Sequence, residues 1–178
     1  VRISFGLETA VPEILKLIQK DVSLEAYVAA NRINNRLGIE TINSVMLGLP
    51  GDTRETIKQT VDFLCRARDI QHTTYGIAIP YPGTELHRMA ENGLHGLRLI
   101  ERDFSKYQRY ASSVMEVNGM SPDELVRLQR AGLRRIYSCW WRIVPLVRRM
   151  GVLALIPPFV DIMRSWIASW FRRPRPAL

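Results

Sequence analysis

At 178 residues, 47% of them hydrophobic, the chain can bury a substantial core, which excludes a disordered tail and favours one domain with an appendage. Its net charge of +8 is not spread evenly: residues 1–120 carry 14 Lys+Arg against 14 Asp+Glu, whereas residues 121–178 carry 11 against 3. Two cysteines, Cys65 and Cys139, stand too far apart for a disulfide framework or a metal-binding spacing.

Arg2 to Leu7 reads as a strand, and Gly6-Leu7-Glu8-Thr9 follows it with a permissive glycine and then a carboxylate. Val11, Ile14, Leu15 and Ile18 recur at helical spacing, with Pro12 acceptable in the first turn. A second helix is expected from Ser23 to Gly38, presenting Ala26, Ala30, Ile33 and Leu37 on one face. The next strand runs from Ile39 into Leu49, and its unbroken apolar stretch Val45 to Leu49 suits a strand covered on both faces. Pro50-Gly51 ends it. A helix follows at once, with Asp52 as candidate N-cap, Glu55 three residues on, and Ile57, Val61 and Leu64 on one face.

Thr73 to Ile79 is a third strand, closed by Pro80-Tyr81-Pro82-Gly83-Thr84, after which a short helix carries Leu86, Met89 and Ala90 to Gly93. The order βααβαβα specifies an α/β fold in which residues 2–7, 41–49 and 73–79 are adjacent parallel strands, in a partial barrel or an open sheet. Residues 94–120 read as an irregular connection with a helix at Glu101 to Tyr110, and a domain boundary is placed near Asn118-Gly119. Ser121-Pro122-Asp123-Glu124 then supplies an N-cap, a proline at N1 and a glutamate at N3, so a helix is expected from Pro122 to about Tyr137. Further helices are expected at 138–150 and 159–171. The divisions are thus 1–93, 94–120 and a basic helical region 121–178 that holds all four tryptophans.

Three turns, Gly6-Leu7-Glu8, Gly48 to Gly51 and Pro80 to Gly83, sit at the C-terminal ends of parallel strands, and in a barrel those ends share one rim. Glycines there let a ligand approach the backbone, and Glu8 could accept hydrogen bonds from sugar hydroxyls. Each turn taken alone is as well explained by turn chemistry or by the helix dipole. His72, His87 and His95 have no nucleophile or carboxylate at a meaningful spacing and read as surface or packing residues, so no acid, base or nucleophile is assigned.

Taken together, SFGLET, VMLGLPGDTRETI and IAIPYPGTEL, in this order and at these separations, resemble the second half of a radical S-adenosylmethionine (radical SAM) core over roughly Val1 to Gly93. The nearest likeness is to the class with a cobalamin-binding domain upstream. The resemblance implies the C-terminal half of a partial (β/α)6 TIM-type barrel, here its fourth, fifth and sixth strands, followed by an all-α tail. It implies that Glu8 contacts the ribose or amino acid part of S-adenosylmethionine, that Val45, Leu47 and Gly48 pack against the adenine, and that Ile79, Pro80 and Tyr81 lie near the adenine edge.

The family's CxxxCxxC loop, which holds a [4Fe–4S] cluster through three thiolates, is absent from these 178 residues, so the cluster ligands are expected in an upstream part of the same polypeptide. The chain starts at Val1 in what reads as a strand, which also leads us to expect a longer protein. For that intact enzyme the resemblance implies 5′-deoxyadenosyl-radical chemistry on a small-molecule or lipid-like substrate, with cobalamin as a further cofactor and methyl transfer as one outcome. This chain alone is expected to be inactive.

The 159–171 helix places Phe159, Ile162, Met163, Trp166 and Trp170 on one face, and Phe171-Arg172-Arg173-Pro174-Arg175 follows. Packing on the barrel is the first expectation for this tail. The second is peripheral contact with the inner, anionic face of a membrane by a cytoplasmic protein, since no uncharged apolar run reaches the ~18 to 20 residues of a span. Nucleic-acid binding, as in radical SAM enzymes that modify RNA, is the alternative use of this basic charge, but the Trp-rich face argues against nucleic acid as partner.

Overall fold

Three strands, β1 (Arg2–Glu8), β2 (Glu40–Leu47) and β3 (His72–Ile77), pair in parallel in the order β1-β2-β3. They come from a computed structural model that describes residues 1–110 and 112–144. Helical crossovers join them: α1 (Pro12–Leu17) and α2 (Leu24–Arg36) lie between β1 and β2, and α3 (Arg54–Arg66) between β2 and β3. Sequential parallel strands with helical connections are the α/β arrangement that the sequence predicts.

Local chemistry accounts for the helix starts. The Ser23 side chain accepts from the Ala26 N–H at 3.1 Å, and Thr84 accepts from His87 N–H ahead of α4 (Glu85–Glu91). Thr53, not Asp52, is the N-cap of α3: Thr53 and Thr56 exchange side-chain and backbone hydrogen bonds in a capping box. Asp52 turns inward instead.

On α3 the expected face is the buried one, with Ile57, Val61 and Leu64 all in the core. On α2 it is not. Ile33 is 56% and Leu37 69% exposed, while Tyr27 and Asn31 are buried. Asn31 exchanges two side-chain hydrogen bonds with Asn43 (3.0 and 2.9 Å) and accepts from the Thr41 hydroxyl at 2.6 Å, so a polar clasp decides which way the helix faces.

β2 also departs from the expectation of burial on both faces. Thr41, Asn43, Val45 and Leu47 are buried under the helices, whereas Glu40, Ile42, Ser44 and Met46 on the other face are half-buried. The sheet therefore has one closed and one open face among the described residues.

Residues 94–120 are more ordered than their sequence suggests. β4 (Leu97–Leu99) pairs antiparallel with β5 (Met115–Val117), and a single 3₁₀ turn at Phe104–Lys106 stands where a helix over 101–110 was expected. Met115, Val117 and Met120 are fully buried and join the main core.

α5 (Pro122–Tyr137) packs against α3 and β3, and the compact unit runs Val1–Tyr137. Close approach explains the fit, because a Cβ on Gly132 would stand 2.6 Å from the Tyr75 ring. Gln129 Nε2 donates to the Tyr75 carbonyl at 3.0 Å. A second unit, Ser138–Leu178, is described only as far as Val144, with residues 140–144 helical. The remainder of the expected 138–150 helix and the whole 159–171 helix lie outside the described residues.

Candidate functional site

Because the strands are parallel, Glu8, Gly48 and the Ile79-Pro80-Tyr81 segment all follow C-terminal strand ends and fall at one end of the sheet. At the first of these the register shifts between Gly6 and Glu8, and Glu8 takes φ +63°, which swings its carboxylate back over Gly6. A Cβ on Gly6 would lie 2.4 Å from Glu8 Oε1, so the glycine makes room for that carboxylate. Lys20 Nζ donates to Glu8 Oε1 at 2.9 Å. Burial lowers the Lys20 pKa, but the hydrogen bond and charge of Glu8 outweigh it, so the ammonium titrates above its ordinary value. Glu8 is thus half of an ion pair whose partner, twelve residues on, carries no motif that marks it.

At the second turn Gly48 (φ +80°) and Gly51 (φ +81°) require the left-handed region. Asp52 organises the turn from inside. Its Oδ2 accepts from the N–H groups of Gly48 (2.9 Å) and Leu49 (3.0 Å), and its Oδ1 accepts from the Thr56 hydroxyl (2.8 Å). Burial pushes the carboxyl up to about 6, against these hydrogen bonds, which pull it down. The side chains of Val45 and Leu47 are 0% and 1% exposed on the helix-covered face. The expected packing of these two side chains against a ligand therefore does not match their place in the core. Ser44 and Met46 are the β2 side chains on the open face nearest this turn.

At the third turn Pro80 is buried and Tyr81 is 52% exposed, its ring 6.3 Å from that of Tyr107. The Tyr81 N–H donates to the Ile79 carbonyl, the Thr84 hydroxyl donates to the Tyr81 carbonyl, and His87 Nδ1 lies 3.0 Å from the Pro80 carbonyl. The Ile79 N–H has no protein acceptor among the described residues.

The open face between these turns is small and polar. Gly6 pairs with Ser44, Ser44 with Thr74, and Met46 with Gly76, so all five residues share that face. The Thr74 hydroxyl donates to Ser44 Oγ at 3.1 Å. Two glycines and two hydroxyls leave space and hydrogen-bonding capacity that suit a nucleoside with a charged amino acid end. An iron–sulfur cluster does not fit the described residues: no three His, Cys, Asp or Glu side chains gather, and Cys65 Sγ lies on α3, 3.7 Å from the Arg135 carbonyl.

Residues 1–64 match the family model of the Radical SAM superfamily. Over 133 residues the chain is 29% identical to an "uncharacterized methyltransferase" of Pyrococcus horikoshii, covering 75% of this chain and 28% of that protein. The chain therefore spans little more than a quarter of that curated relative. Among solved structures it is similar to an N-terminally deleted Elp3 of Methanocaldococcus infernus, at 25% identity and a TM-score of 0.47, over 52% of this chain and 22% of that one. The likeness to the superfamily thus lies in the segment that carries β1, β2 and most of α3.

Proposed function

We propose that residues 1–93 supply one wall of the S-adenosylmethionine site of a radical SAM enzyme. The observation that carries this reading is the open sheet face edged at one end by the Glu8–Lys20 pair and the two following turns, within a segment that matches the superfamily. When bound, S-adenosylmethionine supplies the 5′-deoxyadenosyl group for hydrogen abstraction from a substrate carbon, with the electron delivered by a cluster whose cysteine ligands belong to another part of the intact protein.

The residues of this chain bind and orient. Glu8 Oε2, with no protein donor among the described residues, accepts from a ribose hydroxyl or the α-ammonium. Lys20 holds the Glu8 carboxylate in place. Gly48 brings the main chain close to the base, and the Ile79 N–H donates to the base edge, while Pro80 and Tyr81 fix the loop that presents it. Tight burial of Asp52 keeps the Gly48 turn in one shape as ligands come and go.

Methyl transfer is the outcome favoured by the name of the Pyrococcus relative. Cobalamin follows from the motif resemblance alone, and co-purification of a corrinoid absorbance with the intact protein tests it. Composition of the tail supports peripheral binding to an anionic membrane and a lipid-like substrate, and salt-sensitive flotation of the intact protein with anionic vesicles tests that contact.

The decisive experiment measures S-adenosylmethionine affinity and reductant-dependent 5′-deoxyadenosine formation by the intact protein and by Glu8→Gln. Loss of one charged hydrogen-bond acceptor is expected to weaken cofactor binding about tenfold or more. Unchanged affinity in Glu8→Gln would remove the assignment of this rim.

A further inference from the structure

Arg109 lies across the same open face, above β3. Its main chain is fixed, because its carbonyl accepts from the Ile77 N–H at 3.0 Å and from Gln129 Nε2 at 3.2 Å. Its side chain passes directly over Gly76, where a Cβ would meet Arg109 Nε at 2.5 Å and Cγ at 2.7 Å. Gly76 is in a regular strand and does not take positive φ, so the backbone does not ask for glycine here. The guanidinium does.

The Arg109 Nε is buried with no hydrogen-bond partner, and no carboxylate among the described residues forms an ion pair with this side chain. Its neighbour is the Tyr110 ring, whose centroid lies 5.9 Å from Cζ, a contact that steadies the cation without neutralising it. A buried charged N–H is normally satisfied, and a planar guanidinium is shaped for two parallel bonds to an oxyanion. The Ser44 and Thr74 hydroxyls lie on the same face one strand step away. The Glu8–Lys20 pair sits on the far strand, roughly 10 Å off at two strand spacings, so the two charged groups address different parts of whatever occupies the face.

We propose that Arg109 binds an oxyanion, carboxylate or phosphate, carried by the substrate that meets the S-adenosylmethionine site. The ligand's role as substrate rests on the function proposed above; the oxyanion site rests on the geometry of Arg109, Gly76, Ser44 and Thr74 alone.

The test uses inorganic phosphate as probe and follows the arginine Nε–H resonances of the intact protein by NMR. A saturable shift of the Arg109 signal is expected, with affinity falling about tenfold or more in Arg109→Gln. Gly76→Ala, which places a methyl group in the path of the side chain, should weaken phosphate binding to a similar degree while the thermal melt shows the fold retained. A phosphate affinity within about twofold of wild type in both variants overturns the proposal, as does a response spread over many arginines with none at Arg109. S-adenosylmethionine affinity separates the two sources of a carboxylate. If Arg109→Gln binds it within about twofold of wild type, the oxyanion is the substrate's, whereas a tenfold loss gives Arg109 to the cofactor's own carboxylate and overturns the assignment to substrate. Failure of the wild-type protein to bind S-adenosylmethionine sinks the function proposed above, whereas phosphate binding that does not depend on Arg109 sinks only this inference.

Discussion

The two faces of β2 are built on opposite principles. Toward the helices stand Thr41, Asn43, Val45 and Leu47, all buried, with the amides of Asn31 and Asn43 fully engaged and the aliphatic side chains at 0% and 1% exposure. Away from them stand Ile42, Ser44 and Met46, half-buried, beside two glycines and an arginine whose Nε has no partner. One face is complete in itself, and the other is left open among the described residues, where we propose a ligand. Substitutions should therefore divide by face: those on the helix side should cost stability, and those on the open side should cost binding.

The largest expected effect tests the closed face. Asn31→Ala leaves the Asn43 amide and the Thr41 hydroxyl buried without their partner, and it opens a small cavity between α2 and β2. At about 1–3 kcal/mol for each buried polar group left unpaired, the loss of stability should be about 4 kcal/mol by chemical denaturation. A loss below about 1 kcal/mol would mean that water enters the clasp and that the face is not closed.

Asp52 marks the junction of the two faces, and its effect is read through pH. Its folded pKa is raised, from 3.8 to about 6, so the folded state holds the proton more tightly than the unfolded chain. The resulting stability is fully present below about pH 4 and is lost as pH rises through about 6, a change on the order of 3 kcal/mol. Exposed carboxylates such as Glu101 and Glu124, held low by Lys106 and Arg54, act in the opposite sense but are common to wild type and variant. Asp52→Asn can keep its oxygen on the Gly48 and Leu49 N–H groups and turn its amide to the Thr56 hydroxyl. Unfolding curves of the two proteins should diverge between pH 4 and 6, with the variant the flatter. Parallel curves would mean that Asp52 is not desolvated.

What the sequence conveyed and what it withheld follow the same division. The three strands, the three turns and the burial of Ile57, Val61 and Leu64 were legible because period and turn residues are local signals. The orientation of α2 was misread because Ile33 and Leu37 look like core, while the residue that fixes the helix is the polar Asn31. Asp52 was read as a cap because the rule for caps sees only spacing, and Thr53 with Thr56 satisfies it one residue later. β4 and β5, at three residues each, are too short to show alternation, so the burial of Met115 and Val117 was invisible. Of the proposed site, the rim glycines and Glu8 were picked out by motif. Lys20 and Arg109 were not, since the fold alone brings an arginine from a connecting segment across Gly76.

The smallest expected effect on stability is the most direct check that the open face is spared for a ligand. Ser44 and Thr74 bond to each other at 3.1 Å, both half-buried, and this pair is replaceable: Ser44→Ala with Thr74→Val removes both hydroxyls together, so neither is left unpaired. Removing both partners of a hydrogen bond is nearly neutral, and valine suits a strand, so stability should stay within about 0.5 kcal/mol of wild type. Ligand affinity should not stay level. If these hydroxyls help to receive the oxyanion held by Arg109, phosphate binding in the double variant should weaken several-fold, with the melt unchanged. A melt lowered by more than about 2 kcal/mol would show that the open face is packed as tightly as the closed one, and the contrast between the two would fail.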